Sequence, residues 1–184
     1  MRTWFLRSAF PLLLLVAVAA GASPASAATV CASADGPTAT TSTVALANAA
    51  LCLVNQERTS RGLRPLKSNR RLAKAAGAHA RDMCVRGYFS HDSANGSSFA
   101  DRIRKAGYVP RNAFPSLGED LAWGSGPLGT PREIVESWMN SPGHRANILN
   151  PRFREAGMAV AFGDPGAGAD GVLYALDFGS GGRS

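Results

Sequence analysis

Trp138–Met139–Asn140–Ser141–Pro142–Gly143–His144–Arg145–Ala146–Asn147–Ile148–Leu149 is the most specific run in this 184-residue chain. It extends an amphipathic segment whose start is written in Thr130–Pro131–Arg132–Glu133. Threonine can cap the first turn, proline sits where no amide is needed, and glutamate follows three residues after the cap. Ile134, Val135, Trp138 and Met139 supply its apolar face. Upstream, Val44, Ala47, Leu51 and Val54 recur at helical spacing, with Thr43 as a cap and Gly62 as a stop. A second helix is predicted over 69–86, with Leu72, Ala76, His79 and Met83 on one face and Gly87 beyond its end. Phe99 and Ile103 mark a short third helix that stops near Gly107. Residues 118–124 suit a strand or turn, and 157–162 and 172–178 read as strands joined by a Gly/Asp/Pro loop. Val172, Tyr174, Leu176 and Phe178 share one face of the last strand. Four helices and three short strands predict an α+β fold, with helices covering a small, mostly antiparallel sheet.

The first residues point to export. Arg2 and Arg7 precede an apolar stretch over 10–20, and Ala25–Ser26–Ala27 has the A-x-A form of a cleavage site. That stretch is shorter than the roughly 20 residues a spanning helix needs, and no other stretch is apolar enough to cross a membrane. The expected organisation is a signal peptide over 1–27, a flexible Ala/Thr/Ser/Gly/Pro tail over 28–43 and one domain over 44–181. The expected product is secreted and monomeric. Its formal charge of +7 drops by two with the leader. Three cysteines remain, which leaves three pairings open in an oxidising compartment. Cys31–Cys52 is preferred, because it would pin the tail to the first helix and leave Cys84 as a buried small hydrophobe.

Six fragments resemble, in order, the CAP superfamily of cysteine-rich secretory, antigen 5 and pathogenesis-related-1 proteins, in its bacterial branch. They are Leu53–Val54–Asn55–Gln56–Glu57–Arg58, Ala78–His79–Ala80–Arg81–Asp82–Met83, Tyr88–Phe89–Ser90–His91, Gly118–Glu119–Asp120–Leu121–Ala122, the Trp138 to Leu149 run, and Asp177–Phe178–Gly179. The resemblance implies a three-layer α-β-α sandwich. It also implies a cleft in which His91, Glu119 and His144 match three of the family's four site positions. Ser141 stands where the fourth, an acid, would be, and Asp120 stands where the family usually has asparagine.

Two imidazoles and one carboxylate with an open fourth position would suit zinc, which could activate water for hydrolysis. The missing acid removes the obvious general base. The function expected is therefore a non-catalytic extracellular module binding a lipid, sterol or cell-envelope ligand. The alternatives are a metal-dependent peptidase or esterase using the same cleft, and a structural or interaction protein without a small ligand.

Other residues read more plainly. His79 lies on the apolar face of its helix, as a core histidine would. Ser90–His91–Asp92 cannot form a catalytic relay, since successive residues of an extended strand point to opposite faces. Cys84 late in a packed helix makes a poor partner for His91. Arg58, Arg61, Arg64, Lys67, Arg70, Arg71 and Lys74 fill a window without an acid, a basic edge suited to solvent or to anionic envelope material. An exported chain with no nucleic-acid motif excludes nucleic acid as partner.

Overall fold

A computed structural model describes residues 31–110, 113–163, 165 and 170–181. The expected leader over 1–27 lies outside them, as does most of the loop between the last two strands. The elements are helices α1 (Thr43–Thr59), α2 (Arg70–Arg86), α3 (Phe99–Lys105), α4 (Pro131–Asn140) and α5 (Pro142–Ile148). The strands are β1 (Lys67–Ser68), β2 (Leu117–Ser125), β3 (Glu155–Phe162) and β4 (Gly171–Gly179), and a 3₁₀ turn (Gly126–Gly129) precedes α4.

The last strand organises everything else. Every residue of β4 is buried, which requires a covered layer on each face of the sheet. Its alternate residues Val172, Tyr174, Leu176 and Phe178 pack with Leu46, Ala50, Leu53 and Val54 of α1 and with Ile134, Val135 and Trp138 of α4. The intervening Leu173 and Ala175 meet Ala76, Ala80 and Met83 of α2. Helices α1, α4 and α5 therefore cover one face, and α2 with α3 covers the other. This is the expected three-layer α-β-α sandwich. The strand order is β1-β3-β4-β2, antiparallel except where β1 runs parallel to β3.

Local signals explain most boundaries. Asn69 caps α2 by accepting from the amides of Arg71 and Leu72, and Gly87 closes it in the left-handed conformation at φ 66°. Thr130 accepts from the Glu133 amide at 3.4 Å, as its sequence position predicts. Gly157 has no substitute, because a Cβ there would collide with the α2 backbone at Leu72 and Ala73. That close approach lets α2 lie flat on β3.

Four expectations need correction. Ser42, not Thr43, caps α1, accepting from Ala45 N at 3.2 Å. A fifth helix exists because Pro142 disfavours helical geometry at Ser141, which is extended (φ −95°, ψ 119°), and then serves as the first residue of α5. A fourth strand, β1, is only two residues long, too short to show a period. Residues 31–42, read from composition as a flexible tail, lie against the domain: Cys31, Ala34 and Thr38 are buried. Arg132 grips Asp35 through Nε (2.5 Å) and Nη2 (2.8 Å) and donates its amide to Ala34 O at 3.0 Å. Cys31 and Cys52 form the disulfide that anchors this segment to α1.

Arg58 is also not part of a basic edge. It is 1% exposed, one turn beyond Val54 on the inward stripe of α1. Its guanidinium donates to the carbonyls of Arg64 (3.0 Å), Ile148 (2.6 Å), Asn150 (3.1 Å) and Phe153 (3.3 Å). These partners replace the water it has lost and tie α1 to the chain between α5 and β3. Arg61, Arg64, Lys67, Arg70 and Lys74 are exposed and Arg71 is half-buried, so a basic surface persists without Arg58.

Candidate functional site

The site grows from the β2–β4 pairing. Residues facing each other across an antiparallel ladder share a face, and the register places Glu119 opposite Asp177 and Leu121 opposite Ala175. Glu119 and Asp177 thus lie on the α2 side of the sheet, 4% and 0% exposed. The neighbouring Asp120 points to the opposite face and is equally buried.

Glu119 is fully engaged. Its Oε1 accepts from His91 Nδ1 at 2.9 Å and its Oε2 from Arg102 Nη2 at 2.5 Å. Arg102, from α3, is the organiser of this face. Its Nη1 also donates to His91 O (2.9 Å), Ser93 Oγ (3.1 Å) and Ser97 O (3.1 Å), so one guanidinium fixes the loop that carries His91. The other end of that loop is held by His79, which donates from Nε2 to Ser90 O at 2.8 Å. His79 is the core histidine its helical position suggests. Burial and the Arg102 charge hold it below the ordinary histidine range.

Asp177 completes the row. Neither of its oxygens meets a donor, and the carboxylate of Glu119 faces it. Two carboxyl groups can share a hydrogen bond only if one keeps a proton. Burial first, and the negative charge of Glu119 second, push Asp177 well above the usual carboxylate range.

On the other face, Asn147 of α5 donates to Asp120 Oδ1 at 2.7 Å, while Asp120 Oδ2 has no partner. Burial raises Asp120 to about 7, with the Asn147 bond opposing. Asn147 thereby locks α5 to β2, and Trp138 Nε1 locks α4 to the same strand through Leu121 O at 3.1 Å. His144 lies one turn before Asn147 and is half-buried. Burial and then the His91 charge hold His144 below the ordinary range. His91 is raised, first by its bond to Glu119 and against burial. His144 and His91 are therefore close enough to affect each other, although α5 and the 87–98 loop carry them separately.

The carboxylate set decides what these residues can hold. A three-ligand centre built from His91, Glu119 and His144 does not fit, because both Glu119 oxygens are committed and the side chain is completely covered. Among the described residues no three His, Cys, Asp or Glu side chains are placed to hold a metal ion. Glu119 instead orients His91, leaving Nε2 as the outward ring nitrogen. Ser141 sits at the joint between α4 and α5 and makes no capping bond with its side chain.

The remaining sequence readings resolve simply. Ser90 Oγ accepts from the Asp92 amide at 3.1 Å, a local turn. Cys84 is half-buried rather than buried, its Sγ 3.6 Å from Gly163 O. Sequence reasoning missed Arg102 altogether and took Asp177 only as part of a fragment. The one local signal near Arg102 is the capping box of α3, Ser98 with Asp101, which places a helix but says nothing of which way Arg102 points.

Comparison with known proteins follows the same fold. The profile of the cysteine-rich secretory protein family, CAP, matches residues 51–177. This chain belongs to that family. It is 41% identical over 106 residues to the Bacillus subtilis protein YkwD, a match covering 58% of this chain and 38% of the relative. It is 36% identical over 112 residues to the Bacillus subtilis membrane protein YlbC, covering 60% of this chain and 30% of that one. The chain thus spans under two fifths of either relative. Among solved structures it resembles an extracellular protein with an SCP domain from Bacillus anthracis (TM-score 0.59, 27% identity, 71% of this chain and 39% of that one). A cysteine-rich secretory protein from Staphylococcus aureus gives the same TM-score of 0.59 at 20% identity, over 77% of this chain and 40% of that one, a likeness of fold alone. Among the described residues no helix is long and apolar enough to cross a membrane.

Proposed function

We propose that this protein is a secreted, non-catalytic CAP module that binds a lipid, sterol or other cell-envelope ligand in the cleft edged by His91 and His144. One observation carries the reading: Glu119, the sole acid of the cleft set, is buried with both oxygens bonded to His91 and Arg102. A carboxylate so committed cannot take a proton from an attacking water, and Ser141 offers no replacement. What remains at the surface is recognition chemistry, a raised, cation-prone His91 beside a half-buried His144. Export is supported by the leader-like first 27 residues and by the Cys31–Cys52 bridge, which persists in oxidising compartments. The exposed Arg61, Arg64, Lys67, Arg70 and Lys74 would hold the module near anionic envelope material.

The test is a binding panel of lipids, sterols and wall fragments, run beside ester and peptide hydrolysis assays. Saturable binding that is lost in His91→Ala or His144→Ala, with no turnover in wild type, is the expected result. Turnover abolished by His144→Ala would replace this reading with the hydrolase.

A further inference from the structure

The open edge of β3 points to a second site, unrelated to the histidine cleft. β1 pairs only with Glu155 and Ala156. Its amides reach β3 through Lys67 N to Arg154 O (2.9 Å) and Asn69 N to Ala156 O (2.8 Å). Main-chain groups alternate along a strand, so Met158 and Val160 direct their N–H and C=O groups to this same side. The chain, however, turns into α2 immediately after Asn69. Among the described residues, no strand lies beside this edge of β3 from Gly157 to Phe162.

The space where such a strand would lie is a cavity of about 760 Å³. Val44 and Ala47 of α1 form one wall, Ala73 and Gly77 of α2 the other, and the β3 edge is its floor. Small side chains dominate both walls, which leaves room for a backbone rather than for bulky side chains. Val44 is 68% exposed on the first turn of α1, an apolar surface the fold itself does not use. No acid lines the slot, but Arg70 and Arg81 do. Both are exposed, and neither has a carboxylate partner among the described residues.

We propose that this slot binds an extended acidic peptide segment of a partner protein, which adds to the sheet as a strand along β3. Main-chain bonds to Met158 and Val160 supply the pairing, Val44 receives an apolar side chain, and Arg70 and Arg81 select carboxylates. An unpaired edge is a template that folded proteins normally blunt with charge, bulges or a cover. Here two helices frame the edge and leave it open.

The experiment uses a fluorescent, end-blocked peptide of alternating glutamate and valine, titrated against the secreted chain by anisotropy. Two control peptides accompany it, one with alternate amides N-methylated and one with lysine for glutamate. Saturable binding of the glutamate peptide alone is expected, with slowed amide exchange at Met158 and Val160. The Arg70→Glu/Arg81→Glu double variant should bind it at least about tenfold more weakly and gain affinity for the lysine peptide. Both sites are exposed, and circular dichroism with a urea midpoint verifies the fold. Absence of binding, equal binding of the N-methylated peptide, or protection only outside residues 157–162 would each overturn the proposal. Binding to anionic phospholipid vesicles without binding to the peptide would overturn it too.

Discussion

Asp177 stands directly opposite Glu119 across the β2–β4 ladder, and the two acids meet at the centre of a face that excludes water. Glu119 meets both Arg102 and His91 there, whereas Asp177 meets no donor, and burial beside Glu119 pushes it well above the usual carboxylate range. Glu119 and Arg102 hold His91 and the loop behind it in one arrangement.

Glu119→Ala should therefore be costly. It leaves Arg102, 10% exposed, without its carboxylate, and breaking a buried pair in this way costs about 3–5 kcal/mol. Urea denaturation at pH 7 measures it. Asp177→Asn, which keeps a donor facing Glu119, should cost far less. Equal losses in the two variants would refute the upward displacement of Asp177 beside Glu119.

The contribution of Asp120 and Asp177 to stability should fall as pH rises from about 4 to 8, while the lowered His79 and His144 act in the opposite sense. The folded protein holds its protons to higher pH on Asp120, raised to about 7 by burial, and on Asp177, raised by burial and by the charge of Glu119. The unfolded chain releases both near the ordinary 3.9. Stability is therefore fully present below the unfolded values and is lost as pH climbs through the folded ones. Asp120→Asn should flatten this slope and gain about 1–3 kcal/mol at pH 8, because the amide keeps the Asn147 contact without a buried charge. Urea midpoints at pH 5 and pH 8 decide it, and an unchanged slope in the variant counts against it.

His91 and His144 should titrate apart. His91 is raised by Glu119 and His144 lowered by burial and by His91. Ring-proton NMR should find His91 above its ordinary value of about 6.5 and His144 below it. In His91→Ala the His144 value should rise, since a neighbouring positive charge has gone. Identical titration of both rings in wild type would contradict this geometry.

Arg58→Ala should destabilise the domain by about 3 kcal/mol or more, because four carbonyls lose a charged donor in a dry site. Arg58→Lys should recover little of this loss. One ammonium cannot reach carbonyls spread around a planar fork. Thermal melts of the two variants provide the comparison.

Removing the Cys31–Cys52 bridge by Cys52→Ser should cost about 3 kcal/mol, the expectation for a loop closed over a separation of 21 residues. The loss should be accompanied by proteolytic sensitivity near Asp35, because the bridge and the Arg132 contact together hold residues 31–42. Stability unchanged by the substitution would mean that the Arg132 contact suffices.

Much of this protein was legible in its residues because the signals were local. The Thr130 cap with Pro131, Gly87 and the alternation over 172–178 each act within a few residues, so four of the five helices and the central strand could be read directly, while α5 and the Ser42 cap of α1 were not. The ordered fragments likewise identified the family and matched His91, Glu119 and His144 to three of its site positions. The tertiary structure alone decided what surrounds those positions. Whether Glu119 faces a metal or an arginine depends on Arg102, 17 residues away, and on Asp177, 58 positions along the chain and opposite only through register. Arg58 looked like one more surface cation until packing placed it one turn below Val54 against the carbonyls after α5. Charge is visible in a sequence, but burial and partnership come from contacts between distant segments, and these brace His91 against Glu119 and Arg102.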